Sequence, residues 1–69
     1  MVNESSNLYL KEWRLRKAVS QRELAETASV TQSTIALIEA GKSMPRPSTV
    51  RKLARALDVV PEDLYRRPE

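Results

Sequence analysis

Gln32 and Ser33 carry the side chains of this 69-residue chain best suited to recognition chemistry. They directly follow Thr31, whose hydroxyl is of the kind that caps the N-terminus of a helix. An amide in the first turn of a helix can pair with both hydrogen-bonding groups that adenine exposes in the major groove, and a hydroxyl can donate or accept at several bases. The pattern predicts a helix that places Gln32, Ser33 and the methyl group of Thr31 against base edges.

Each of these side chains also has a plainer interpretation. Gln32 could be a solvated surface glutamine, and Thr31 is first a helix cap worth about 1 kcal/mol. Ser33 pairs with too many bases to discriminate strongly among them. Leu37, one turn further on, either meets a thymine methyl group or packs towards the fourth helix.

Two short helices with a tight corner between them must position this face. Ser20 and Glu23 have the spacing of a capping box, which begins the first of the two. Apolar residues then recur at helical intervals at Leu24, Ala25 and Ala28. Ser29 and Val30 form the corner, with Val30 turned inward. The recognition helix follows over residues 31–39, with Ile35 and Ile38 facing the core, and Gly41 supplies a left-handed stop.

The remaining elements complete an all-α fold of five helices without strands. Helix one is predicted over residues 8–18, with Leu10, Trp13 and Tyr9 facing inward. Helix four opens at Ser48 or Thr49 and carries an apolar stripe of Val50, Leu53, Ala54 and Leu57. A short last helix begins at Pro61 and runs through Tyr65. We expect a flexible tail at residues 1–7, one domain over residues 8–65 and a C-terminal tail at residues 66–69.

The chain resembles the phage-repressor and Cro-like helix-turn-helix family of DNA-binding regulators over residues 8–65. The matching positions are Ser20-Gln21, Leu24-Ala25, Val30, Thr31-Gln32, Ile35, Glu39-Ala40-Gly41-Lys42, Pro45 and residues 53–57. The resemblance implies a compact lambda-repressor-like domain whose second and third helices form the helix-turn-helix. The chain departs from the family at Ser29 and Ala18, where glycine is frequent; a non-glycine residue in the left-handed region costs about 1 kcal/mol.

The resemblance also assigns the residues around the recognition helix. It implies that Gln21 contacts the DNA backbone, where the N-terminus of a helix favours a phosphate. It implies an ion pair between Arg14 and Glu39 that steadies the recognition helix, with Arg14 shared with a phosphate. Three loop residues, Lys42, Ser43 and Arg46, are expected beside the phosphates. Arg46, held extended between Pro45 and Pro47, either enters a narrow minor groove or is a solvated loop arginine.

Composition excludes several other classes of protein. The chain has no cysteine or histidine, so we expect no disulfide, no Cys/His metal site and no bound cofactor. Its acidic residues fall at helix caps or in ion pairs, which argues against an enzyme. The absence of a signal-like segment and of a membrane-length apolar run predicts a cytoplasmic protein. The formal net charge of +3 is compatible with nucleic acid but is weak evidence by itself.

Together these features predict a sequence-specific DNA-binding transcriptional regulator, a repressor in the leading interpretation, that binds a palindromic operator as a homodimer. One such small domain contacts too few bases to select a genomic site. We expect the dimer contact at the C-terminal end, formed by Leu57, Val59, Val60, Leu64 and Tyr65. The alternative is a protein-interaction module, such as an antitoxin or accessory subunit with the same fold. Control is expected through protein concentration or a regulatory protein partner.

Overall fold

The computed structural model describes residues 8–69, so the tail predicted at residues 1–7 lies outside the described residues. Four α-helices are present: α1 (Leu10–Arg16), α2 (Gln21–Ala28), α3 (Gln32–Glu39) and α4 (Pro47–Leu57). A 3-10 helix, Pro61–Tyr65, follows them, and no strand occurs in this part of the chain. The predicted all-α architecture is confirmed, but the fifth element is a single 3-10 turn rather than an α-helix.

The boundaries of two helices differ from the predicted ones for local reasons. Helix α1 begins after Tyr9, whose backbone is not helical (φ −89°, ψ 46°) and whose N–H donates to the carbonyl of Leu64 at 2.8 Å. It ends before Ala18, which is left-handed at φ 58°. Helix α4 begins at Pro47, because a proline has the φ of a helix and needs no hydrogen-bond acceptor in the first turn.

Helix α2 begins as its sequence predicts. The backbone N–H of Glu23 donates to Oγ of Ser20 at 3.0 Å, and the backbone N–H of Ser20 donates to Oε1 of Glu23 at 2.9 Å. This confirms the capping box. The reciprocal bonds satisfy one free N–H group at the start of the helix and one at the residue before it.

All four α-helices end in the same left-handed motif, although only one of them has a glycine there. The left-handed residues are Ala18, Ser29, Gly41 and Asp58, at φ 58°, 60°, 74° and 60°. In each case this residue and the next donate their N–H groups back to the last turn of the helix, as in a Schellman motif. The prediction for Gly41 is confirmed, and Ser29 adopts the left-handed corner that glycine would adopt more easily.

The core is apolar and draws on every helix. Its buried members are Leu10, Leu24, Ala25, Ala28, Ile35, Ile38, Val50, Leu53, Ala54, Leu57 and Leu64. The predicted stripe of α4 is therefore confirmed. Since Ala25 and Ala28 are small, α2 can pack closely against both α3 and α4.

Trp13 connects α1 to the C-terminal segment through hydrogen bonds. Its indole Nε1 donates to the carbonyls of both Asp63 and Arg66, each at 2.9 Å. The guanidinium of Arg67 lies 5.5 Å from the ring centroid of Tyr9, within the range of a cation–π contact. Trp13 thus packs against the core, as expected, and also holds the 3-10 helix in place.

Candidate nucleic-acid interface

One face of α3 is solvent-exposed along its whole length. It consists of Gln32, Ser33, Ala36, Leu37 and Ala40. On the opposite side, Ile35 and Ile38 are buried in the core. This spacing places the exposed residues side by side, because residues four apart lie one above the other on a helix. The exposed face is polar in its first turn and apolar beyond it.

Thr31 caps the start of this helix. Its Oγ1 accepts the backbone N–H of Thr34 at 3.1 Å and lies 2.9 Å from Oγ1 of Thr34. The hydroxyl group of Thr31 is thus engaged within the protein. The cap leaves the side chains of Gln32 and Ser33 exposed at the first turn of α3.

Glu39 joins three helices at the other end of α3. Its Oε2 accepts Nε–H of Arg14 at 2.7 Å, and its Oε1 accepts Nη2–H of Arg14 at 3.2 Å. Its Oε1 also accepts Nε2–H of Gln21 at 3.0 Å. We call these three residues the Glu39 cluster. It holds the end of α3 against α1 and against the start of α2, so α3 cannot pivot freely about its cap.

The guanidinium of Arg14 uses most of its hydrogen-bonding capacity within the protein. Besides its bidentate contact with Glu39, it donates from Nη1 to the carbonyl of Val19 at 2.9 Å. The side chain is 10% exposed, which leaves little of it for the phosphate contact that the resemblance implied. The hydrogen bonds that Arg14 donates to Glu39 raise the pKa of Arg14 above its usual value against the opposing effect of burial, so Arg14 stays cationic.

Gln21 is the first residue of α2 and is half-buried. Its bond to Glu39 places the N-terminus of α2 beside the C-terminus of α3. The first N–H groups of α2 are close to that junction and carry the positive end of the helix dipole. A phosphate contact at Gln21 would therefore fall beside the end of the exposed face of α3.

The segment after α3 contains two cationic residues, Lys42 and Arg46, and folds back towards α3. The backbone N–H of Lys42 donates to the carbonyl of Leu37 at 2.9 Å, which folds the segment back onto α3. Lys42, Ser43 and Arg46 are exposed, and neither cation forms an ion pair with another described residue. Arg46 is extended (φ −73°, ψ 158°), as its flanking prolines predict. Met44, for which the sequence predicts no role, lies in the same segment and is 68% exposed.

The C-terminal surface requires a correction. Leu57 and Leu64 are 2% and 0% exposed within one chain, because they pack between α4 and the 3-10 helix. They were predicted at a dimer contact, yet their side chains have no surface to offer a second copy. Val59 is half-buried, whereas Val60 and Tyr65 are 53% and 50% exposed. Any apolar contact at this end therefore depends on Val59, Val60 and Tyr65.

Two kinds of feature are absent from residues 8–69, a cluster of metal ligands and a membrane span. No group of three or more acidic side chains in this range could hold a metal ion. None of the described helices has the length and apolar character needed to span a membrane.

The exposed helix α3 follows a capped helix and a left-handed corner, and precedes two cations that have no ion-pair partner in residues 8–69. This arrangement is that of a helix-turn-helix DNA-binding domain. The family model described as Helix-turn-helix (HTH_3) matches residues 10–64. The chain belongs to this family of Cro/C1-type DNA-binding transcriptional regulators, which is not a family of enzymes.

Individual relatives agree with this assignment. The chain is 38% identical over 56 residues to the uncharacterized HTH-type transcriptional regulator YgzD of Bacillus subtilis (strain 168), covering 81% of this chain and 85% of YgzD. It resembles the restriction-modification controller protein C.AhdI of Aeromonas hydrophila with a TM-score of 0.79 and 34% identity, covering 81% and 85% of the two chains. It resembles SinR, the master regulator for biofilm formation, solved in complex with DNA, with a TM-score of 0.77 and 33% identity over 83% of this chain and 92% of SinR.

Proposed function

We propose that this protein is a sequence-specific repressor that binds a palindromic operator as a homodimer, with α3 in the major groove. The observation that carries the proposal is the exposed face of α3, which offers Gln32 and Ser33 in its first turn. The far end of the helix is held by the Glu39 cluster, so the face is presented in one orientation. A preorganised recognition helix loses little freedom on binding, which favours affinity.

Base recognition is assigned to the first turn of α3. Gln32 pairs bidentately with an adenine, accepting from N6 and donating to N7. Ser33 makes a less selective hydrogen bond, and the methyl group of Thr31 contacts an apolar base edge. Leu37 meets the bases one turn further along the helix.

Contacts with the sugar–phosphate backbone flank this helix. Gln21 and the first N–H groups of α2 receive one phosphate. Lys42, Ser43 and Arg46 receive phosphates on the strand beside the C-terminus of α3. Arg14 acts indirectly. Its guanidinium is bonded to Glu39 and to the carbonyl of Val19, so it positions the helices and does not itself contact the DNA.

The homodimer supplies the second half of the site. Val60 and Tyr65, together with half-buried Val59, form an exposed apolar surface at the end of the chain. Two-fold pairing through such a surface is the commonest way to build a dimer. It would place two α3 helices about 34 Å apart, one turn of DNA. A dimer bound across a promoter represses by occupying it and needs no separate activating surface.

Selection of bound sequences from a random DNA pool, followed by a mobility shift on the selected site, tests the proposal. We expect a palindromic consensus and a shifted species that contains two copies of the chain. Selection of no consensus would refute sequence-specific binding and favour a protein-interaction module with the same fold. A consensus without two-fold symmetry would refute the palindrome and the dimer.

A further inference from the structure

The second half of the exposed face of α3 is apolar. After Gln32 and Ser33, the exposed positions are Ala36, Leu37 and Ala40, and Leu37 is 46% exposed. A leucine this exposed in the middle of a short helix contributes little to the core of its own chain. It lies on the same face as the proposed base-contacting side chains, so an apolar group on the partner of that face would cover it.

The charges around Leu37 favour DNA as that partner. The backbone of Lys42 is bonded to the carbonyl of Leu37, and the side chains of Lys42 and Arg46 are exposed without an acidic partner in residues 8–69. The nearby carboxylate, Glu39, is only 6% exposed and is turned onto Arg14 and Gln21. Within residues 8–69, Leu37 is thus bordered by two cations without an acidic partner and by a carboxylate that is already paired. Such surroundings suit a polyanion that carries methyl groups.

The major groove has one such apolar feature in unmodified DNA, the C5-methyl group of thymine. We infer that Leu37, flanked by Ala36 and Ala40, selects a thymine by packing on its C5-methyl group. The inference rests on the proposed function, and it deepens that function by naming a second base of the half-site.

Helix geometry separates Gln32 and Leu37 along α3. An α-helix rises about 1.5 Å per residue, so Leu37 lies about 7.5 Å beyond Gln32 along the axis of α3. A helix in the major groove lies at an angle to the DNA axis, so the two side chains reach different bases of one half-site. Each half-site should therefore contain an adenine and a nearby thymine.

Removal of single methyl groups from the DNA tests the inference. In the selected site, each thymine is replaced in turn by deoxyuridine, which lacks only the C5-methyl group, and the dissociation constant is measured by fluorescence anisotropy. We expect one replacement per half-site to weaken binding roughly three- to tenfold. The Leu37→Ala variant should bind the thymine and deoxyuridine sites equally well. Leu15→Ala is the matched control, because Leu15 is 58% exposed on α1 and should leave the methyl dependence intact.

The outcomes separate this inference from the proposed function. A preferred site at which no deoxyuridine replacement weakens binding would overturn the thymine contact and leave sequence-specific binding in place. The same holds if Leu37→Ala keeps the full methyl dependence of the parent, because the methyl group would then be contacted by another residue. If no preferred site exists at all, the proposed function fails first. Thermal unfolding followed by circular dichroism confirms that each variant is folded.

Discussion

Arg14 and Glu39 join the first helix of this protein to the last residue of its recognition helix. Two hydrogen bonds, of 2.7 Å and 3.2 Å, connect the guanidinium and the carboxylate, and the two side chains are only 10% and 6% exposed. Because Gln21 donates to the same carboxylate, one acidic side chain fixes the relative positions of α1, α2 and α3. The pair is thus a structural element that holds the exposed face of α3 in place.

Removal of the charge on Glu39 should destabilise the fold. Glu39→Gln keeps the shape of the side chain but leaves the largely buried guanidinium of Arg14 without its counter-ion, so we expect a loss of about 2–3 kcal/mol in the free energy of unfolding. Urea denaturation monitored by the fluorescence of Trp13 measures it. Glu26→Gln is the control, since Glu26 is exposed and lies 3.6 Å from Arg22; it should change stability by less than about 0.5 kcal/mol. Equal effects of the two variants would contradict a structural role for the Arg14–Glu39 pair.

The pH dependence of this difference follows from Arg14. Folding raises the pKa of Arg14 through its hydrogen bond with Glu39. A raised pKa of a basic group adds stability that is fully present below the unfolded-state pKa and is lost only as pH rises through the folded-state pKa. The stability difference between the parent and Glu39→Gln should therefore stay constant from about pH 7 to about pH 10. A decrease within that range would contradict a permanently charged Arg14.

Glycine at position 18 should stabilise the protein. Ala18 is exposed and left-handed at φ 58°, a conformation that glycine adopts at lower cost. We expect Ala18→Gly to raise the free energy of unfolding by about 0.5–1 kcal/mol, measured by chemical denaturation. The same change at Ala36, in the middle of α3, should instead cost about 1 kcal/mol. Destabilisation by Ala18→Gly would show that the end of α1 is not strained by its alanine.

Gln32 should determine one base of each half-site. Loss of its amide in Gln32→Ala removes two hydrogen bonds to adenine, so binding to the preferred site should weaken by about 1–3 kcal/mol. Selection from a random pool should then show one relaxed position per half-site. Thr27→Ala, an exposed polar position of α2 outside the exposed face of α3, serves as the control. An unchanged consensus for Gln32→Ala would exclude base recognition by this residue.

Arg46 should contribute to binding through charge. If it contacts a phosphate, Arg46→Ala should reduce the slope of log affinity against log salt by about one unit per subunit. If it enters a minor groove, the loss should be larger with A·T-rich flanking sequence than with G·C-rich sequence. Arg51→Ala removes the same group from an exposed position of α4 and should leave the slope unchanged. Identical affinity of Arg46→Ala and the parent at all salt concentrations would remove Arg46 from the interface.

The dimer should depend on Val60 and Tyr65. Because these side chains are about half exposed, the double change Val60→Asp and Tyr65→Asp should leave the helical circular dichroism signal intact. Binding to a palindrome should weaken roughly 100-fold as the two half-sites become independent. Leu15→Asp places the same charge on another exposed apolar residue and should have no such effect. A parent that sediments as a monomer at high concentration and binds as one copy per operator would refute the dimer.

Much of the fold could be predicted because the signals are local. The capping box of Ser20 and Glu23 acts across three residues, and the stripe of α4 repeats within one helix. The 3-10 geometry of Pro61–Tyr65 was missed because its pattern of proline followed by acidic residues also begins α-helices. Five residues offer too few backbone hydrogen bonds to decide between the two geometries without their tertiary contacts.

The exposed face of α3 could be anticipated for the same reason, since the alternation of buried and exposed positions is a property of one helix. The burial of the C-terminal apolar residues could not be predicted in this way. The sequence does not distinguish among them, because all four are apolar: Leu57, Val60, Leu64 and Tyr65. Only the packing of the 3-10 helix against α4 decides which two are enclosed and which two are left exposed.

The amino-acid sequence by itself determined the helices, their caps and the amphipathic faces, because these depend on residues within one or two turns of each other. The tertiary structure alone decided the geometry of the contacts between distant positions. Arg14 and Glu39 are 25 residues apart, and Trp13 reaches the carbonyl of Asp63 across 50. A side chain of Arg, Gln or Trp offers the same hydrogen-bonding groups wherever it occurs. Its partner is decided only when the hydrophobic core brings the helices together. In residues 8–69, no buried side-chain nitrogen or oxygen then lacks a hydrogen-bond partner.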